Sequence, residues 1–192
     1  MVTVGEGVTD VGSAGRNIAA LKSFHQRTLT AHRQFYLCTK EILYSEGLYT
    51  MTNQYIEDGI ARLRTEWPQT HCERNKHGHH MIVVPSVKLA PGYLVAGSNE
   101  KATICTVIFI APPGYPAARP DHFFTDIELR LAANKAIPYN TNTGNGMYLG
   151  SLGWPQWAKS MWWSWHLQMW DPNRSSLFTY MKVIEQRLNP AR

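Results

Sequence analysis

At 192 residues, 44% hydrophobic and 17% charged, the chain is long enough to bury a core without disulfides or metals. Its three cysteines, Cys38, Cys72 and Cys105, are scattered and contain no C-x-x-C pair, which excludes a disulfide framework. The net charge of +5 is spread thinly, so nucleic acid is not required as a partner. The longest apolar runs, such as 107–111, are far too short to span a bilayer. The start, "MVTVGEGVTDVGSAGRN", lacks the basic-then-apolar order of a secretory signal, so a cytoplasmic protein with no membrane partner is expected.

In chain order, residues 1–16 lack periodicity and read as a tail. From about Asn17 to Leu48 apolar residues recur at threes and fours, the pattern of a helix that Gly47 can stop. A second helix is predicted from about Thr52 to Trp67. Its stripe is Ile56, Ile60 and Leu63, Thr52 or Asn53 can cap it, and Pro68 ends it. Residues 1–50 are therefore read as a tail and helical extension, and 51–192 as the main domain.

After Pro68 the period changes. "MIVVPSVKL" (81–89) reads as an edge or bulged strand because of Pro85. Residues 90–101 read as a turn, and "ATICTVIFIAPP" (102–113) as the strongest strand. "DHFFTDIELRL" (121–131) is expected to be a further strand, 133–150 a long loop, and Arg174 or Ser175 to Leu188 a closing helix. Strands grouped between helices predict an α+β fold with an antiparallel meander over 81–131, packed on the final helix.

That order, together with Tyr115-Pro116, Pro120 and Trp170-Asp171-Pro172, resembles the ubiquitin-conjugating enzyme superfamily. The segments "PPGYPAARPDHFFTD", "WSWH…WDP" and "SLFTYMKVIEQRL" resemble more closely its bacterial branch, the prokaryotic ubiquitin-conjugating family E. The resemblance covers roughly residues 52–190. It implies a ubiquitin-conjugating-like fold in which Trp170 is largely buried and Asp171 or Asn173 caps the final helix. It also implies a ubiquitin-like protein and a ubiquitin-activating-like enzyme as partners, within a bacterial conjugation operon of the antiphage type. No cofactor and no metal are expected.

One departure from the family is large. Its enzymes carry the ubiquitin-like protein as a thioester on a loop cysteine before the Trp-x-Pro. Here no cysteine follows Cys105, there is no His-Pro-Asn, and the family spacing back from Trp170 lands on Trp162–Ser164. Cys105 lies mid-strand and reads as a buried structural thiol; Cys72 reads as part of a polar loop. Ser164 and His166, two residues apart, are the candidate catalytic pair if they meet in a turn: a serine needs an adjacent base, and an oxyester would replace the thioester. The same two residues can equally decorate a tryptophan-rich core element.

Trp154, Trp157, Met161 and Trp165 follow helical spacing and read as core. Trp162 and Trp163 fall off that stripe and are candidate binding anchors. Asn140, Asn142 and Asn145 populate the loop where, in the family, an asparagine amide stabilises the oxyanion. "HCERNKHGHH" (71–80) fits no standard zinc spacing and reads as a solvated loop. The chain is thus expected to accept or position a ubiquitin-like protein, or to be a catalytically inactive adaptor of the same fold.

Overall fold

A computed structural model describes residues 53–98, 100–144 and 146–191. The helix predicted over 17–48, with Cys38, lies outside the described residues, as does Asn145. The fold is α+β.

The chain is helical over 53–63 (α1) and then forms strands His71–Arg74 (β1), His80–Lys88 (β2), Tyr93–Val95 (β3), Ile104–Ala111 (β4), Phe123–Thr125 (β5), Leu129–Leu131 (β6) and Thr141–Asn142 (β7). A short helix Met147–Ser151 (α2), a 3-10 turn Pro155–Trp157, strand Met161–Trp163 (β8) and helix Leu177–Leu188 (α3) follow. One six-stranded sheet has the order β1-β2-β4-β5-β8-β7, with every pairing antiparallel; β3 and β6 form a separate pair.

The main sheet is buried on both faces, which explains why its strands read as continuous apolar runs rather than alternating ones. Ile82, Val84, Val107, Phe109, Phe123 and Trp163 face α1 and α3, meeting Ile60, Leu63, Tyr180 and Ile184. Met81, Val83, Ile108, Ile110 and Phe124 face the other way, onto Leu149 and Trp154. Gly146 seats α2 on this second face. A Cβ there would lie 2.6 Å from both the nitrogen and the oxygen of Ser160, a backbone approach only glycine permits.

β2 bulges between Val84 and Val87, where Pro85 cannot donate to the ladder and Ser86 takes φ 60°. α3 is capped by Ser176, whose hydroxyl accepts the Thr179 N–H, and it buries Leu177, Tyr180, Met181, Ile184 and Leu188. The expected cap at Asp171 or Asn173 is corrected: the Asp171 carboxylate instead accepts the Asn173 N–H in the preceding turn.

Other expectations change for local reasons. Residues 121–131 are not one strand. At Asp126 the side chain accepts the Thr106 N–H at 2.7 Å, replacing a ladder bond, and the chain leaves for the second pair as β6. Residues 90–101 contain β3 as well as turns. The 71–80 stretch is a β1–β2 hairpin rather than a solvated loop, with Cys72 half-buried in β1 and His80 buried in β2. Trp154 to Trp165 is not a helix: it spans the 3-10 turn and β8, so the relevant period at the tryptophans is two.

Candidate functional site

β8 ends at Trp163, pinned between β5 and β7, and the residues just beyond it form the candidate site. The Ser164 N–H donates to the Asn140 carbonyl at 2.8 Å, which sets the serine against the loop leading into β7. The Ser164 Oγ lies 3.3 Å from His166 Nε2, and His166 Nδ1 lies 2.8 Å from Asp121 Oδ1. A carboxylate only accepts, so Nδ1 carries the proton it donates and, in the neutral ring, Nε2 faces the serine as acceptor. Ser164, His166 and Asp121 thus form a hydrogen-bonded series of the kind that can supply a nucleophile, a base and an orienting carboxylate. The contact between the serine and the imidazole is the longer of the two. Both His166 and Asp121 are open to solvent, with side chains 57% and 50% exposed.

Arg119 holds the two halves of the site together. Its guanidinium donates to the Leu167 carbonyl and stands 3.8 Å from Asp121 Oδ1. His122, next in the chain, packs edge-on against Phe124 and Tyr148 and tilted to Trp162. Burial lowers its pKa, outweighing the opposite pull of Asp121, with His166 adding to the lowering.

Of the expected loop amides, Asn140 is joined to Ser164 through its carbonyl and Asn142 pairs with Trp162 in the β7–β8 ladder. Among the described residues, neither side-chain amide has a hydrogen-bond partner. The binding role expected of Trp163 is corrected: it is 1% exposed, stacked flat on Phe123 with its indole N–H on Thr125. Trp162 is half-buried against the second core. Trp170, expected to be largely buried, is of intermediate burial and packs against the first core. Its indole N–H donates to the Pro116 carbonyl at 2.7 Å and its ring lies 6.0 Å from that of the buried Tyr115. Pro120 is buried and Pro172 exposed.

A buried cation braces the site from below. Arg187 of α3 is 2% exposed, lies under both Trp163 and Trp165, and donates to the Tyr139 carbonyl, one residue before Asn140.

The described cysteines are poorly placed for acyl transfer. Burial, with Glu73 adding, pushes the Cys72 thiol up to about 11, and burial, with Asp126 adding, pushes Cys105 further up. Among the described residues no group of three His, Cys, Asp or Glu is placed to hold a metal ion. Nor is any helix among them long and apolar enough to cross a membrane.

A family model described as Prokaryotic E2 family E matches residues 66–191. The chain belongs to Prokaryotic E2 family E. The match takes in the sheet, the Tyr115-Pro116 and Trp170-x-Pro172 features and α3, so the ubiquitin-conjugating-like fold and the site lie within one family domain. No curated protein and no solved structure gives a match. Asp121 was not among the residues singled out from sequence. No local pattern signals it, since only the pairing of β5 with β8 brings that carboxylate to the end of β8.

Proposed function

We propose that this Prokaryotic E2 family E protein accepts the carboxyl terminus of a ubiquitin-like protein on the Ser164 Oγ, as an oxyester. The observation that carries the reading is the hydrogen-bonded order Ser164–His166–Asp121 at the end of β8, where family spacing back from Trp170 falls. In the step proposed, Ser164 Oγ attacks the carbonyl carbon of a thioester on the activating enzyme. The Oγ–C bond forms and the C–S bond breaks. The hydroxyl proton passes to His166 Nε2 and then to the departing thiolate. Asp121 orients the imidazole and stabilises its charged form, and the Asn140 or Asn142 amide is the candidate oxyanion donor. We place this activity in the cytoplasm of a bacterium, within a conjugation operon of the antiphage type. The conjugating domain begins near Met51, and residues 1–50 are an added arm.

The test is to incubate the protein with its activating enzyme, the ubiquitin-like protein and ATP. An adduct that resists thiol reductant but yields to mild alkali is expected, lost in Ser164→Ala and His166→Ala and kept in Cys105→Ala. Loss only in Cys105→Ala would reject the serine. A second reading, an inactive adaptor, is favoured by the exposed Tyr139 and Tyr148 beside the site, 76% and 43% exposed. Tight binding of the ubiquitin-like protein with no adduct would establish it.

A further inference from the structure

At the opposite edge of the sheet from the Ser164 site, a cavity of about 380 Å³ opens between α1 and the β1–β2 hairpin. Its walls carry Arg64, Arg74, His71 and His80 against one lining carboxylate, Glu57, and His71 is itself 4.0 Å from the Glu73 carboxylate of the same hairpin. Ile56 and Ile60 of α1 line it with apolar surface. Arg74 and His80 are direct cross-strand partners, so their side chains rise from the same face of the hairpin. The Arg64 guanidinium is fixed by donating Nε–H to the Thr70 carbonyl at 2.8 Å.

His80 distinguishes this cavity from a chance gathering of basic residues. It is 6% exposed, it lines the cavity, and its buried Nδ1 has no hydrogen-bond partner. A buried imidazole beside a guanidinium and with an unpaired nitrogen is costly to keep, and an anion nearby would offset that cost.

We propose that this cavity is a binding site for a small organic phosphate. Arg74 and Arg64 hold the phosphate oxygens, as planar guanidinium forks do, and His80 donates from its ring. Ile56 and Ile60 take the non-polar body, for which the volume is adequate. Glu57 opposes the anion and sets a ceiling on its affinity. The site is independent of Ser164 chemistry, being separated from β8 by β2, β4 and β5.

The probe is phenyl phosphate, titrated into the full-length protein by calorimetry and by amide NMR, with inorganic phosphate and phenol alongside. Saturable binding of phenyl phosphate is expected, weaker binding of inorganic phosphate, and none of phenol. Amide shifts should centre on 71–74 and 80. Arg74→Gln, an exposed position that leaves the core intact, should weaken phenyl phosphate roughly tenfold or more, and Glu57→Gln should tighten it. His80→Gln should also weaken it, provided the variant's circular dichroism is unchanged. Retained affinity in Arg74→Gln, equal affinity for inorganic and phenyl phosphate, or shifts scattered over surface lysines and arginines would each overturn the site.

Discussion

His166 and Asp121 are joined at 2.8 Å across 45 residues of sequence, and the bond decides which imidazole nitrogen faces Ser164. Asp121→Asn keeps the shape but can donate to Nδ1, and so favours the wrong tautomer. If Ser164 is the acceptor, this variant should slow oxyester formation by roughly 10²–10⁴-fold in single-turnover mass spectrometry. Because the pair is half exposed, thermal stability should change by less than about 1 kcal/mol. An equal loss of activity and fold would show that Asp121 is a structural residue instead.

Trp163 carries the opposite balance. It is fully buried between Phe123, Tyr93 and Arg187. Trp163→Ala should destabilise the domain by about 3–5 kcal/mol in urea unfolding, as large aromatic truncations do. The half-buried Trp162 should cost clearly less when changed to alanine. Equal costs would mean that the alternation of β8 is wrong.

Arg187 links stability to the site. Arg187→Met removes the bond to the Tyr139 carbonyl and the two ring contacts, and should cost about 2–4 kcal/mol. Hydrogen exchange should quicken first at 139–142, before the strands of the core. Arg187→Lys should not restore protection, since an ammonium lacks the planar fork.

The histidines set a pH dependence. Burial lowers the pKa values of His79, His80 and His122 below the ordinary 6.5, with His77 adding to the shift at His79 and with Arg74 and then His79 adding to the shift at His80. The unfolded chain then binds more protons than the folded one just below 6.5. Stability from these groups is therefore complete above that value and is lost as pH falls through it toward the lowered native values. Urea midpoints should drop between about pH 7 and pH 5, and less steeply in His80→Gln. A midpoint flat across that range would contradict the burial of these rings.

Thiol chemistry offers an independent check. At neutral pH Cys72, held up to about 11, should react with iodoacetamide much more slowly than a free thiol. Cys105 should label only on denaturation, being 3% exposed in β4. Rapid native labelling of Cys105 would reopen it as an acyl acceptor.

Much of this architecture was legible in the sequence. Pro85 announced the bulge of β2, the β-branched run at 104–111 announced the central strand, and the closing helix was expected to end at Leu188, where it does. The proximity of Ser164 and His166 was legible because only one residue separates them. Asp121 was not, because its approach depends on β5 pairing with β8, a long-range choice that local periodicity does not encode. Trp163 was misplaced because Trp154, Trp157, Met161 and Trp165 happen to fit a helical stripe, whereas the segment alternates as a strand. The break at Asp126 was hidden for a related reason: a side chain took over a backbone bond, and no alternation pattern records that.

The brace from Arg187 to Tyr139 also imposes an order on synthesis. Arg187 follows Ser164 by 23 residues, and α3 must leave the ribosome before the guanidinium can slide beneath Trp163 and Trp165. The last turn of α3 and the loop before β7 are thus completed together, and any change that frays α3 at Arg187 loosens the backbone next to Asn140 as well.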